Sequence, residues 1–380
     1  MNTKKRSRRR KWTTALVVFA LLIGTSATAL AIYRALPADD YAGLDDVDRT
    51  MFDQLAAQYE AFSTEPQKIW TETYRYDQEP LVLVRTDTDR SVVSRYTYLI
   101  NMSELVDTSQ MRQVSFDQYP TLTDVRVSNT FELTNFDLLL PANFTVDTIG
   151  DREVLLFKYN PAMFSDAPPD GLPFDLFSMH EAFHVNKQAD WTYDKDAGDR
   201  IFDYPYTDEH FRLLQAEYAI LGQVETALDD AEPDRAQLNA LATDLAQIRE
   251  ARYARWPQLS AQDNAEAIEG TAKYVERAYQ ITQGVRPQPL NFASALDILW
   301  SDPDQRTTLE RTAGYYTGAQ LGFLLDQIRP EWKLDIEPAP QGAGMTPFAS
   351  LRAATGVSEA PTDDVVDDIV NRYAVAEVSE

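Results

Sequence analysis

Two histidines four residues apart, with a glutamate directly after the first, form the segment His180-Glu181-Ala182-Phe183-His184. On a helix, residues at this spacing lie one turn apart on one face, so both imidazoles can reach a single ion. Glu181 then sits beside the ion and can take a proton from a water held there. The chain has only three histidines, the third being His210, and no cysteine. Thiol nucleophiles, disulfide frameworks and iron–sulfur sites are therefore excluded, and imidazole and carboxylate are left as metal ligands. The spacing predicts one zinc ion, with His180 and His184 as two of its ligands and Glu181 as general base.

A catalytic zinc site needs a third protein ligand and keeps a fourth position open. Lys187 and Asp190 stand where a metzincin would have glycine and histidine, so the third ligand must come from elsewhere. The segment Glu269-Gly270-Thr271-Ala272-Lys273-Tyr274-Val275-Glu276 resembles the E-G-x-A-x-Y-x-E signature of gluzincin metallopeptidases, especially the alanyl-aminopeptidase type. That resemblance implies that Glu269 completes the site, with Glu266 and Glu217 as substitutes. It also implies small residues after Glu269, so that two site helices can approach closely. Glu276, two turns on along the same face, is expected to support an imidazole from behind. The resemblance covers these two short motifs. The chain departs from the pattern in placing Glu269 far beyond His184 and in lacking the G-x-M-E-N motif that holds a free amine, so exopeptidase specificity is not implied. Lys273 stands where an aspzincin pattern would need another residue.

A developing oxyanion needs a donor besides the metal. Tyr315 is preferred because it shares a helix face with Gly318, Ala319 and Gly322; Tyr316 and His210 are the alternatives. Gln188 and Trp191 continue the His180/His184 face and are expected to line the cleft. The run Glu153–Tyr159, just before the motif, is expected to be a sheet edge able to pair with an extended substrate. Together these readings give a zinc metallopeptidase acting on peptide or protein substrates. The alternative is a zinc-binding but inactive membrane-anchored scaffold, against which the presence of Glu181 argues. A third possibility is a non-metal interaction protein in which the histidine pair is accidental.

The elements that must position these residues follow from periodicity. Helical spacing predicts helices over 45–62, 173–190, 208–228, 234–255, 261–283, 291–300 and 305–328, with Pro233 at a first helical position and Ser260 as an N-cap. Short β-branched or aromatic runs predict strands at 80–85, 91–100, 125–133, 144–148 and 153–159. Strands first and helices after predict an α+β fold. The divisions read as a helix plus β-rich subdomain over 45–170, a helical zinc-site region over 171–330 with an inserted helical hairpin at 207–256, and a C-terminal tail at 331–380 bearing two short helices.

The formal net charge is −25. Residues 1–12 carry seven basic side chains and no acidic one, which leaves the rest at −32 (28 basic against 60 acidic side chains). A polyanionic nucleic acid is not an expected partner of that body. The uncharged stretch 13–33 is long enough to cross a membrane, and Ala27-Thr28-Ala29 or Ala29-Leu30-Ala31 would suit cleavage. A cytoplasmic stub, a signal-anchor or signal peptide, a linker at 34–44 and an outward-facing remainder, anchored or secreted, are the expected topology.

Overall fold

A computed structural model describes residues 35–129, 140–189, 191, 200–230, 232–337 and 344–373. The basic stub and the apolar stretch 13–33 lie outside them. Among the described residues no helix is long and apolar enough to cross a membrane.

The fold is α+β, and the chain divides into two units. The first comprises the described residues up to Glu60 together with Asp77–Ser178; the second comprises Ala61–Tyr76 and the described residues from Met179 onward. The sequence-based boundary at 170/171 thus falls eight residues early, and the segment after the first helix joins the helical unit.

The first unit is a six-stranded mixed sheet in the order β3-β4-β2-β1-β6-β5. Its strands are β1 (Leu81–Thr86), β2 (Ser94–Ile100), β3 (Arg112–Gln113), β4 (Val125–Ser128), β5 (Phe144–Ile149) and β6 (Arg152–Tyr159). The expectation that Glu153–Tyr159 forms an edge is wrong. It pairs in parallel with β1 and antiparallel with β5, so its backbone groups are already used. That position explains its unbroken apolar run, since a strand buried on both faces does not alternate. On one face Val82, Val84, Leu99, Met102, Val154 and Leu156 form a core. Elsewhere in the unit, helix α1 (Asp46–Thr64) buries Met51, Phe52 and Leu55, with Phe52 edge-on to Tyr98 at 4.8 Å.

Asp48 of α1 is fully buried and accepts hydrogen bonds from the hydroxyls of Tyr96 (2.8 Å), Tyr98 (2.7 Å) and Tyr159 (2.6 Å). Arg85 Nε lies 3.4 Å from its other flank. Burial pushes this carboxyl above its ordinary range, although the tyrosine hydroxyls pull the other way. The 34–44 segment is not a free linker: Tyr41 N donates to Ser115 O, Ser115 N donates to Asp39 O, and Leu44 is buried.

The second unit is helical: α2 (Pro66–Ile69), the larger part of α3 (Phe174–Asn186), α4 (Asp208–Leu228), α5 (Arg235–Arg255), α6 (Ala261–Ala265), α7 (Thr271–Thr282), α8 (Phe292–Ser301), α9 (Ala313–Ile328), α10 (Trp332–Ile336), α11 (Pro347–Thr355) and α12 (Asp363–Tyr373). α4 and α5 form the expected hairpin. Thr207 caps the first by accepting from His210 N, and Asp234 caps the second by accepting from Ala236 N. Pro233 therefore lies just before the cap, two residues ahead of the first helical position. Ser260 sits at a helix start but makes no cap, because its hydroxyl donates back to Pro257 O. The described residues beyond 330 are integral to this unit, burying Trp332, Phe348, Leu351 and Val366.

Replacing Asp48 with Asn removes the charge opposite Arg85 and leaves at least one tyrosine hydroxyl without an acceptor. Chemical denaturation should show the sheet unit losing about 3 kcal/mol, the scale of a broken buried charged network.

Candidate metal centre

Between α6 and α7 the helix widens into a π-helical turn, Glu266–Gly270, and a second such turn, Thr308–Thr312, precedes α9. Single π turns inside α-helices occur often at functional sites. Here the first one carries Glu269. The two helices touch backbone to backbone. A Cβ on Gly270 would lie 2.6 Å from Gly318 Cα and 2.9 Å from Gly314 O, and one on Gly318 would lie 2.8 Å from Glu266 Cα. The contacts Ala265 with Gly314, Gly270 with Gly318 and Tyr274 with Gly322 advance together, so the helices run parallel. The small residues after Glu269 thus admit α9, not α3 as the sequence suggested.

Glu269 Oε2 lies 3.2 Å from His180 Nε2 and 3.3 Å from His184 Nε2. The three ligand atoms all lie within 4.8 Å of one another. Bonds of about 2.0–2.1 Å to a tetrahedral zinc ion place neighbouring ligand atoms about 3.3 Å apart, so two of the three separations match such a site.

The surrounding hydrogen bonds dictate which nitrogens carry protons. Gln188 Nε2 donates to Ile268 O (2.8 Å) and to Thr271 Oγ1 (2.8 Å), which leaves its Oε1 to accept from His184 Nδ1 at 2.6 Å. His180 Nδ1 donates to Glu276 Oε1 at 2.6 Å, and Lys273 Nζ holds the other oxygen of Glu276 at 2.6 Å. With both Nδ1 protons committed, neutral imidazoles present bare Nε2 lone pairs to a carboxylate oxygen. Three lone pairs converging on one point fit a cation.

Protons compete for this convergence. Burial opposes charge on His180, but its bonds to Glu269 and Glu276 win and push it up to about 10. Burial likewise raises Glu269, yet His180 and His184 outweigh it and hold that carboxyl well below its ordinary value. Glu181 is pushed up to about 7 by burial first and then by Glu269 and Glu276, against the lowering effect of the two imidazoles.

Tyr315 stacks on His180, with ring centroids 6.0 Å apart and planes 7° from parallel. Tyr316 is 38 % exposed, and its ring lies under the Lys273 ammonium at 5.8 Å. His210 is not a free donor: its Nδ1 donates to Pro205 O, its Nε2 accepts from Arg252, and burial with the Arg252 charge pulls it down to about 2. Trp191 does not line a cleft but is buried against Trp70 and Phe183. Glu217 and Glu266, the substitute ligands, are consumed elsewhere. Arg249 bridges them at 2.7 Å each, Arg252 also pairs with Glu217, and Glu266 accepts from Gln262 and Thr317. This fully buried network ties the hairpin to the π turn and so positions Glu269. Sequence reasoning missed the role of Lys273, because three-residue spacing to Glu276 reads as an ordinary surface pair.

Changing Gln188 to Leu strips His184 Nδ1 of its acceptor, so any affinity of this cluster for zinc should fall about 10–100-fold, measured by competition with a chromophoric chelator. A separate test concerns Asp263, pushed up to about 7 by burial and then by Glu266, against Arg249 and the Tyr253 hydroxyl. Because folding raises this carboxyl's pKa, the stability it contributes is complete below the unfolded value near 4 and is lost as pH rises through about 7. Asp263→Asn should therefore melt like wild type near pH 4 and above it at pH 8.

Compared with known proteins, the chain matches no family model, no curated protein and no solved structure.

Proposed function

We propose that this chain is a zinc-dependent peptidase that hydrolyses peptide bonds outside the cytoplasm, with His180, His184 and Glu269 holding the ion. The observation that supports this reading best is the meeting of two Nε2 atoms and one carboxylate oxygen at 3.2 and 3.3 Å, each imidazole having its Nδ1 proton committed elsewhere. The motif resemblance to gluzincins supports it from the sequence.

A bound zinc ion would supply a Lewis acid and ease loss of a proton from water. The chain's own residues do the rest. Gln188 and Glu276 hold the Nδ1 protons of His184 and His180 and so aim both Nε2 atoms at the ion site. Glu181, adjacent in sequence to His180 and outside the ligand set, takes the proton of the attacking water and returns it to the departing amine. Its carboxyl, at about 7 without an ion, would be drawn toward the ionised form by the nearby cation, which is the form a base requires. In this reading Tyr315, whose ring stacks on His180, would donate to the oxyanion. The outward orientation follows from the charge asymmetry of residues 1–33.

Elemental analysis of the purified protein should find one zinc per chain, lost in His180→Ala and Glu269→Ala. Glu181→Gln should keep the ion and lower kcat on a peptide library about 10²–10⁴-fold. Wild-type protein fully loaded with zinc yet inert toward the whole library would instead favour the inactive scaffold, and protein that binds no zinc would exclude both.

A further inference from the structure

Trp70 precedes the sheet in the chain yet belongs to the helical unit, where it is 1 % exposed. Its indole stands edge-on to two rings, one from each motif of the candidate centre. Phe183 of the HEAFH segment lies with its centroid 4.9 Å away at 71°, and Tyr274 of the Glu269–Glu276 segment 5.9 Å away at 72°. Phe183 adjoins His184, and Tyr274 lies between Glu269 and Glu276 in the chain. Trp332 backs both the indole and Tyr274, 5.4 Å from each ring. One side chain therefore packs between the helix that presents both imidazoles and the segment that presents both carboxylates facing them.

Polar groups pin this wedge. Trp70 Nε1 donates to Glu337 Oε1 at 2.7 Å, and Lys187 Nζ lies 2.8 Å from the same oxygen. Lys187 directly follows the last residue of α3, so one carboxylate ties the indole to the end of the histidine helix. On the far side the Tyr274 hydroxyl donates to Asp326 Oδ2 at 2.7 Å, which fixes the second ring. Removing an indole leaves a gap into which its neighbours relax partway, whereas zinc bond lengths tolerate only about 0.2 Å. We propose that Trp70 is a positioning residue of the metal centre. It sets the spacing between the two motif segments, and through it the approach of Glu269 to His180 and His184 at 3.2 and 3.3 Å. This inference rests on reading the cluster as a zinc site.

Two metal readouts test it: zinc affinity by chelator competition, and the visible absorption of cobalt(II) in place of zinc, which reports coordination geometry. Trp70→Leu should bind zinc at least about tenfold more weakly than wild type and change the cobalt bands. Trp70→Phe, which keeps a ring but loses the N–H, should fall between the two. Phe292→Leu, which opens a gap against Tyr218 of the hairpin, should lower Tm yet leave both metal readouts at wild type. Wild-type affinity and bands in Trp70→Leu, or an equal loss in Phe292→Leu, would overturn the proposal. Should Trp70→Leu fail to fold, Trp70→Phe and Glu337→Ala decide it by the same criteria. Wild-type protein that binds no zinc would instead remove the metal reading itself, a result distinct from zinc-loaded protein whose affinity ignores Trp70.

Discussion

The glycine contact between the Glu266–Gly270 turn and Gly314–Gly318 is the constraint on which the arrangement of the helical unit depends. With 2.6 Å between a would-be Cβ on Gly270 and Gly318 Cα, no side chain fits there. The two helices are locked at backbone distance and in parallel register. That closeness brings Tyr315 to His180 on one side and lets Thr317 reach Glu266 on the other. The π turn has one residue more per turn than an α-helix, so Glu266 and Glu269 point in directions that ordinary helical spacing would not give. One goes into the buried arginine network and the other to the imidazoles.

Polar groups around the candidate centre are arranged in tiers. Glu269 meets His180 and His184; Gln188 and Glu276 hold the far nitrogens; Ile268 O, Thr271 and Lys273 fix those two in turn. Each tier removes a rotational freedom from the one inside it, which is how a site is held in shape before any ligand arrives. The Arg249–Glu217–Arg252 cluster serves similarly at longer range. It is fully buried and balanced in charge, with Glu266 as its fourth member, so removing any one member would strand another in low dielectric.

Much of the fold was legible in the sequence. Helical periodicity located α4 to the residue, and β-branched runs located β1, β5 and β6 within one, because each of these elements buries a regular face. Run lengths failed where burial and pairing diverge. Val92 and Val93 look like strand residues but are exposed, the strand beginning only at Ser94 after the left-handed Arg90. β6 was misplaced because hydrophobicity reports burial and not which neighbour pairs with which strand. Trp191 shares a face with His184 on an ideal helix, but α3 ends at Asn186 and the face ends with it.

Sequence alone determined the chemical inventory: two imidazoles at helical spacing, a glutamate beside the first, no thiol, and an acidic body behind a basic start. Those facts are local, set by residue type and the 3.6-residue turn. Which of the many carboxylates joins the imidazoles was decided only by tertiary structure. Glu217, Glu266, Glu269 and Glu276 are alike as residues, and all are largely removed from water. They differ in what faces them: arginines for the first two, the bare edge of two imidazoles for the third, and an imidazole N–H with a lysine for the last. Partners brought together from distant parts of the chain make that distinction, and no local pattern encodes them.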